Sequence, residues 1–204
     1  IVVPADVVRD GLIERFDADP DAVRTLRYGL DPGTLGRDRA AARRRVREEF
    51  GLPADARIVL GCGTIDQRKG TDLFVQAARR FLADPAAAGL AAKTRFVWFG
   101  REVDPDFHQW LRHDVEASGL DGRVVLAGSR PDMTTYLLAA DVFALTSRED
   151  PCPFANLEAM EAALPVVAFA GSGGAPEALG GGGVVVPYLD VAAMAESIRD
   201  LLQD

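Results

Sequence analysis

Ser147-Arg-Glu-Asp-Pro-Cys-Pro-Phe-Ala-Asn-Leu-Glu-Ala-Met-Glu-Ala-Ala-Leu-Pro165 lies between two apolar runs, Val142-Phe-Ala-Leu-Thr146 and Val166-Val-Ala-Phe-Ala170. Each run is short, continuous and apolar, the pattern of a strand buried on both faces. Between them the adjacent acids Glu149 and Asp150 and the prolines Pro151 and Pro153 predict a loop. Phe154, Leu157, Ala159, Met160 and Ala163 or Leu164 then recur at helical spacing, which predicts a helix ended by Leu164-Pro165. Pro153 suits the first helical position, where a missing N–H costs nothing. The reading is strand, acidic loop, helix, strand, with the free N–H groups of the helix start aimed at whatever the loop holds. Such a start attracts anions. Seven residues separate Asp150 from Glu158, a turn inside the helix, where a carboxylate can accept hydrogen bonds from sugar or ribose hydroxyls.

The segment resembles the two-acid motif of the retaining glycosyltransferase family 4, in the C-terminal, donor-binding half of the GT-B fold. The resemblance implies that the first acid meets the donor sugar and the second holds the ribose. The amides of Phe154, Ala155, Asn156 and Leu157 would face sugar hydroxyls and phosphate. By spacing Asp150 takes the first place and Glu158 the second, with Glu149 the other candidate for the first. The family's usual residue there is Glu followed by glycines; this chain has Asp and prolines.

A chain of 204 residues can bury one good core, or one domain plus a fragment of another. At 48% hydrophobic and 26% charged its composition is that of an ordinary globular protein. No apolar run reaches ~18 residues, so no integral membrane segment is expected. The 31 acids outnumber the 23 bases for a net charge of -8, which argues against nucleic acid as a partner. Arg43-Arg44-Arg45 is closed off by Glu48-Glu49 and reads as a solvated helix face. Cys62 and Cys152 read as free thiols in a reducing compartment, and the expected location is cytoplasmic. His108 and His113 are too few and too badly spaced for zinc, so no metal is expected. The chain opens Ile1-Val-Val-Pro4, without an initiating Met or a signal-peptide pattern, and reads as a piece of something longer.

Residues 1–34 have their own pattern. A short strand, a helix from Ala5 to Phe16 and a strand Val23–Tyr28 are punctuated by Gly29 and Pro32-Gly33. The resemblance makes them the tail of an N-terminal acceptor domain and its hinge, whose exposed strand edges would be a liability. Residues 35–204 begin with a helix from Arg37 to Phe50. Strands at 58–60, 94–99, 124–126, 142–146, 166–170 and 184–186 then alternate with helices at 71–82, 106–117, 133–140, 154–163, 175–179 and 191–202. That alternation predicts an α/β fold, a Rossmann-like parallel sheet with helices on both faces. Phe99, Trp98 and Phe143, mid-strand, read as core, as do Phe107 and Trp110 at helical spacing. The glycines 180–183 read as a tight turn.

In such a sheet ligands lie beyond the carboxyl ends of the strands. Those ends hold Gly61-Cys-Gly63, Gly100-Arg101, Gly128-Ser-Arg130, Ser147 to Asp150 and Gly171-Ser-Gly-Gly174. Small or charged residues recur on this one rim, and their convergence marks a site whatever the family. Gly61-Cys-Gly-Thr-Ile-Asp-Gln-Arg-Lys-Gly70 opens like a dinucleotide loop, but Asp66 stands where the third glycine belongs. Arg68 and Lys69 precede a helix start, and Lys69 is one of only two lysines in the chain, with Lys93. Together they suit a diphosphate, the Arg as a fork and the Lys as a point charge. In the family an Arg and a Lys of this loop neutralise the departing diphosphate. Lys69 falls on the family's Lys-Gly pair. The usual Arg position holds Thr64, which leaves Arg68 as a displaced substitute.

Donor contacts are also assigned to Gly63, Thr64, Gly100, Arg101, Gly128 and Arg130. Arg101 and Arg130 either lay a guanidinium beside a base or remain surface charges, and Gly128 reads as a glycine of close approach. Glu177 either lines the sugar pocket or caps the helix that follows it. The expected protein is a retaining hexosyltransferase that moves a sugar from a nucleoside-diphosphate sugar to a hydroxyl of a sugar, lipid or other acceptor. The acceptor half would be missing and no cofactor is needed. The alternatives are a nucleotide-sugar binding module without activity of its own and a sugar-nucleotide epimerase of the same fold. The epimerase has no need of the Ser147–Glu158 pattern. A nicotinamide-dependent oxidoreductase would need an acid ending the second strand about 20 residues past the glycine loop, where residues 81–85 read as helix.

Overall fold

The computed structural model describes residues 1–31, 33 and 38–203. Pro32, the expected boundary between residues 34 and 35, the expected helix start at Arg37, and Asp204 lie outside the described residues.

The N-terminal segment is a small unit: β1 (Val2–Val3), α1 (Asp6–Phe16) and β2 (Arg24–Thr25), the two strands pairing in parallel. The strand expected over Val23–Tyr28 is only two residues long. Beyond Thr25 one further bond, from Leu26 N–H to the Val3 carbonyl at 2.8 Å, holds it to β1, because β1 itself ends there. Ile1, Val2, Phe16 and Leu26 are exposed.

The remainder is one α/β domain. In chain order it comprises α2 (Arg39–Glu49), β3 (Arg57–Cys62), α3 (Thr71–Ala83), α4 (Ala88–Lys93), β4 (Thr94–Phe99), α5 (Pro105–Ala117), β5 (Val124–Leu126) and α6 (Met133–Ala139). Then follow β6 (Val142–Leu145), α7 (Phe154–Glu161), β7 (Val166–Phe169), α8 (Ala175–Leu179), β8 (Val184–Val186) and α9 (Val191–Gln203). Six strands form one parallel sheet in the order β5-β4-β3-β6-β7-β8. Successive strand residues point to opposite faces, and each face has its own core. Val59, Phe96, Trp98, Val167 and Phe169 pack with α3, α5 and α9. Ile58, Leu60, Val97, Phe99, Val166 and Ala168 pack with α2, α6 and α8. Both faces are covered, which is why the strands read as unbroken apolar runs.

The expected elements are present with ends shifted by a residue or two. α4 and the 3-10 turn Pro85–Ala87 are additional; the six residues of α4 are too few to show a period. Pro153 stands immediately before α7, at its N-cap, and not at the first helical position. Trp110 is not core: 69% of it is exposed. α5 turns the stripe Phe107, Leu111 and Val115 inward, at steps of four, and Trp110 falls beside that stripe, edge-on to His113. Phe154 was expected on the inner side of α7, but it is 47% exposed and stacks on Tyr28 of the N-terminal segment at 5.1 Å. The inner face of α7 carries Asn156 and Ala159 instead.

Candidate functional site

The chain builds β3, β4 and β5 outward in one direction, then returns to lay β6 against the other side of β3. The carboxyl ends of β3 and β6 therefore diverge into loops that leave in opposite directions, the topological switch point where doubly wound sheets bind ligands. The two loops that meet there are Gly63–Gly70 and Thr146–Pro153.

The first loop is braced by Asp66. One carboxylate oxygen accepts the Lys69 amide at 2.7 Å and the other accepts the Thr64 hydroxyl at 2.6 Å. Its entry is pressed against β4. The Gly63 carbonyl accepts the Trp98 indole N–H at 3.0 Å, and the Gly63 amide donates to Phe99 O at 2.9 Å. A Cβ on Gly100 would stand 1.6 Å from that Gly63 carbonyl oxygen, so only glycine permits the contact. The methylenes of Lys69 lie along Gly63, where a Cβ would come within 3.0 Å of Lys69 Cδ.

The second loop is tied to the first by main chain and by one arginine. Thr146 Oγ1 donates to Gly70 O at 2.9 Å and Arg148 N–H donates to Arg68 O at 2.8 Å. The Arg148 guanidinium forks onto the Asp72 carboxylate at 2.8 and 2.7 Å and reaches Gln67 O at 2.6 Å. Such a bidentate pair is directional as well as charged, so it sets the spacing of the loops. Sequence reasoning missed Arg148, Asp66 and Asp72. Arg148 stands inside the acidic motif, and its partners are more than 70 residues away in sequence.

Across this junction Lys69 Nζ pairs with Asp150 Oδ2, and 19% and 7% of their side chains are exposed. Asp150 is held from the β7 side: its amide donates to Ser172 O at 2.7 Å, and its carbonyl accepts Gly174 N–H at 3.1 Å. Glu149 is exposed, and its carbonyl accepts Arg68 Nη1 at 3.1 Å. Of the two acids Asp150 thus faces inward beside Lys69. Arg68 lies at the surface. Glu158 is half-buried, and burial pushes its carboxyl above the usual range. Cys62, at the end of β3, has its thiol pushed up to about 11, first by burial and then by the nearby Glu158 charge, with Lys69 opposing. Glu158 and Lys69 thus both act on the thiol at the end of β3. Asn156 is fully buried in the first turn of α7, and its side-chain amide has no partner among the described residues.

The arrangement offers one fixed ammonium, one helix start and two carboxylates around the end of β3. A family model described as glycosyl transferases group 1 matches residues 56–204. The chain belongs to this family. It is 30% identical over 199 residues to a D-inositol 3-phosphate glycosyltransferase of Corynebacterium efficiens, covering 95% of this chain and 46% of that protein. It thus spans about half the length of the curated relatives it matches. Its fold is that of Anabaena HepE, crystallised with UDP and glucose, with a TM-score of 0.86 at 20% identity over 100% of this chain and 53% of the other. It also matches the C-terminal domain of a group 1 family protein, LpcC, from Francisella tularensis, with a TM-score of 0.66 at 24% identity over 79% of this chain and 83% of that one. The resemblance to glycosyltransferase family 4 and its GT-B fold holds.

The other expected contacts have settings of their own. Arg130 packs over the Phe99 ring at 5.8 Å from its centroid and pairs with Glu49 at 3.2 Å, and Glu49 also accepts the Tyr136 hydroxyl at 2.8 Å. Arg130 is therefore engaged with α2 and α6. Arg101 is exposed. A Cβ on Gly128 would meet no protein atom nearer than Arg130 Nη1 at 4.0 Å. The Gly128 φ of +71° is what favours glycine, while its carbonyl accepts the Gly100 amide at 3.1 Å.

Glu177 neither faces the Lys69–Asp150 junction nor caps its own helix. Its two oxygens accept the amides of Asp6 at 2.9 Å and Val7 at 2.7 Å, at the start of α1, and Arg27 approaches at 3.4 Å. α1 lacks a capping side chain of its own because Ala5 stands at its N-cap. Replacing Glu177 with Ala removes both acceptors, a loss of about 1–2 kcal/mol at a helix start. Limited proteolysis of the variant should cut within residues 17–31 faster than in the wild type, with little change in the melting of the α/β domain. Equal cutting rates would show that Glu177 does not hold α1.

Proposed function

We propose that this chain is the donor-binding half of a retaining hexosyltransferase, taking a nucleoside-diphosphate sugar and passing the sugar to an acceptor hydroxyl. The observation that carries the reading is the pairing of Lys69 with Asp150 at the switch point, in the loop that leads into α7, with Glu158 one turn inside that helix. Cleavage of the bond between the anomeric carbon and the diphosphate leaves negative charge on phosphate oxygens. A fixed cation and aligned amides lower that barrier, and one well-placed donor is worth ~3 kcal/mol. Lys69 and the amides of residues 154–157 supply them. Asp150 orients the sugar, and Glu158 accepts the ribose hydroxyls. Because HepE binds UDP, the uridine nucleotide is the first to test.

The chain spans about half the length of its relatives, and this supports a further point. Alone it binds the donor without transferring sugar, because the acceptor side is contributed by sequence outside these 204 residues. Calorimetric titration with UDP, GDP and ADP tests the reading. One diphosphate should bind, and Glu158→Ala should weaken it by about tenfold, the loss of charge-assisted hydrogen bonds. No binding of any of the three, to this chain or to the full-length protein, would sink it.

Glu158 adds a pH signature. Its folded pKa is raised by burial, so the charged form is the unfavourable one. The unfolded chain then releases this proton first, and stability falls as pH rises from the ordinary carboxyl value through the raised one. Glu158→Gln should therefore melt higher than the wild type above that window and gain least below it, while binding nucleotide more weakly. Thermal melts from about pH 4 to about pH 8 check this, bracketing the carboxyl range. A melting difference that shrinks with rising pH would contradict it.

A further inference from the structure

Lys69 and Asp150 lie 81 residues apart in sequence and are joined in an ion pair that is largely out of solvent. Neither partner is free to drift. Asp66 holds the Lys69 amide, and the Lys69 methylenes are laid along Gly63. Ser172 and Gly174 hold the Asp150 main chain on both sides, and a Cβ on Gly173 would stand 2.1 Å from Asp150 O, so that strand crossing admits no slack. An ammonium on the donor rim is thus already neutralised by a carboxylate of the same protein.

Carboxylate and phosphate present the same anionic oxygens to an ammonium and compete for it. We propose that Asp150 is a built-in occupant of the diphosphate site: it holds Lys69 until a diphosphate displaces it, and the released carboxylate then turns to the sugar. This rests on the donor-binding reading above. It assigns Asp150 a second role, selection by competition. An anion must offer more than one carboxylate does before it gains Lys69. A diphosphate, which spans both Lys69 and the α7 amides, does so, and orthophosphate does not. Affinity is reduced by the fraction of molecules in which the pair is closed. The pair also places Lys69 beforehand, so that little rearrangement is needed when the phosphate arrives.

Asp150→Asn keeps the shape and removes the competing charge. Calorimetry with pyrophosphate, orthophosphate and UDP should show it binding pyrophosphate and UDP about tenfold more tightly than the wild type, a coupling of ordinary size. Orthophosphate, silent with the wild type, should become measurable. In the full-length protein the same variant should have a lower donor KM and a lower kcat, because the sugar loses its carboxylate. In a Lys69→Met background Asp150→Asn should no longer tighten UDP. A gain that persists there is general electrostatics and overturns the competition. A wild type that binds UDP, GDP or ADP while Asp150→Asn binds no more tightly overturns the inference and leaves the donor-binding reading standing. No nucleotide binding by either protein takes both down.

A readout on the wild type covers the case in which Asp150→Asn does not fold. Only two lysines occur in the chain, so nitrogen-15 lysine labelling gives two Nζ resonances to assign, from Lys69 and Lys93. Pyrophosphate should shift the Lys69 resonance and leave that of Lys93 in place. A Lys69 resonance unmoved at saturating pyrophosphate refutes the exchange of partners.

Discussion

Lys69→Ala should abolish tight diphosphate binding by this chain and lower transfer by the full-length protein about 10²- to 10³-fold, the usual cost of losing a preorganised group aimed at developing charge. The effect has two parts. The leaving diphosphate loses its fixed cation, and Asp150, with 7% of its side chain exposed, is left as an uncompensated carboxylate beside the site. The second part makes Lys69→Ala more destabilising than a simple deletion, since a buried charge stripped of its partner is strongly unfavourable. Lys69→Ala combined with Asp150→Asn should therefore recover part of the folding stability without recovering transfer. Steady-state kinetics and thermal melts on the two proteins check this. A Lys69→Ala enzyme with kcat/KM within about threefold of wild type would remove Lys69 from the reaction, since that is under 1 kcal/mol of barrier.

Gly100→Ala should be the most damaging small substitution on the rim. The new methyl carbon would sit 1.6 Å from Gly63 O and 2.6 Å from Gly63 C, both main-chain atoms, so no side chain can turn aside to relieve it. Either β4 moves away from the Gly63 loop, or the loop moves and takes the Trp98 indole bond and the Lys69 perch with it. The expected cost is about 3 kcal/mol or more, in the range of a severe packing error, and nucleotide binding should be lost at temperatures where the protein still folds. Gly128→Ala is the internal comparison. It has space but needs a positive φ, so about 1 kcal/mol is expected from backbone strain alone. Chemical denaturation of the pair separates the two costs, and equal destabilisation would mean that the Gly63 contact is not what constrains position 100.

Both predictions depend on contacts the linear chain hides to different degrees. Lys69 was legible because a lysine before a helix start, in a chain with only two, is a local signal. Glu158 and Asp150 were legible by their spacing on one loop and one helix. Which of Glu149 and Asp150 faces inward was not legible, because adjacent residues differ only in the direction the backbone turns. That direction is set here by the crossing of Asp150 with Gly173. Gly100 looked like any glycine after a strand; its necessity comes from a carbonyl 37 residues earlier. Arg130 and Glu177, near the rim in sequence, each left a site role and a duller role open. In the fold Arg130 is taken up by Glu49 and Phe99, and Glu177 by a helix that starts some 170 residues before it.

The sequence by itself determined the alternation of strands and helices and the inward face of most of them, though not the outward turn of Trp110 and Phe154. It also placed a polar rim at the strand ends, because hydrophobic period, turn residues and helix-start chemistry act over a few residues. Pairing and closure act between segments distant in the chain. The tertiary structure alone therefore decided that β6 returns beside β3 and opens the switch point, and that Asp150 meets Lys69 there. It alone decided that Arg148 and Asp66 hold the two loops in place around that pair.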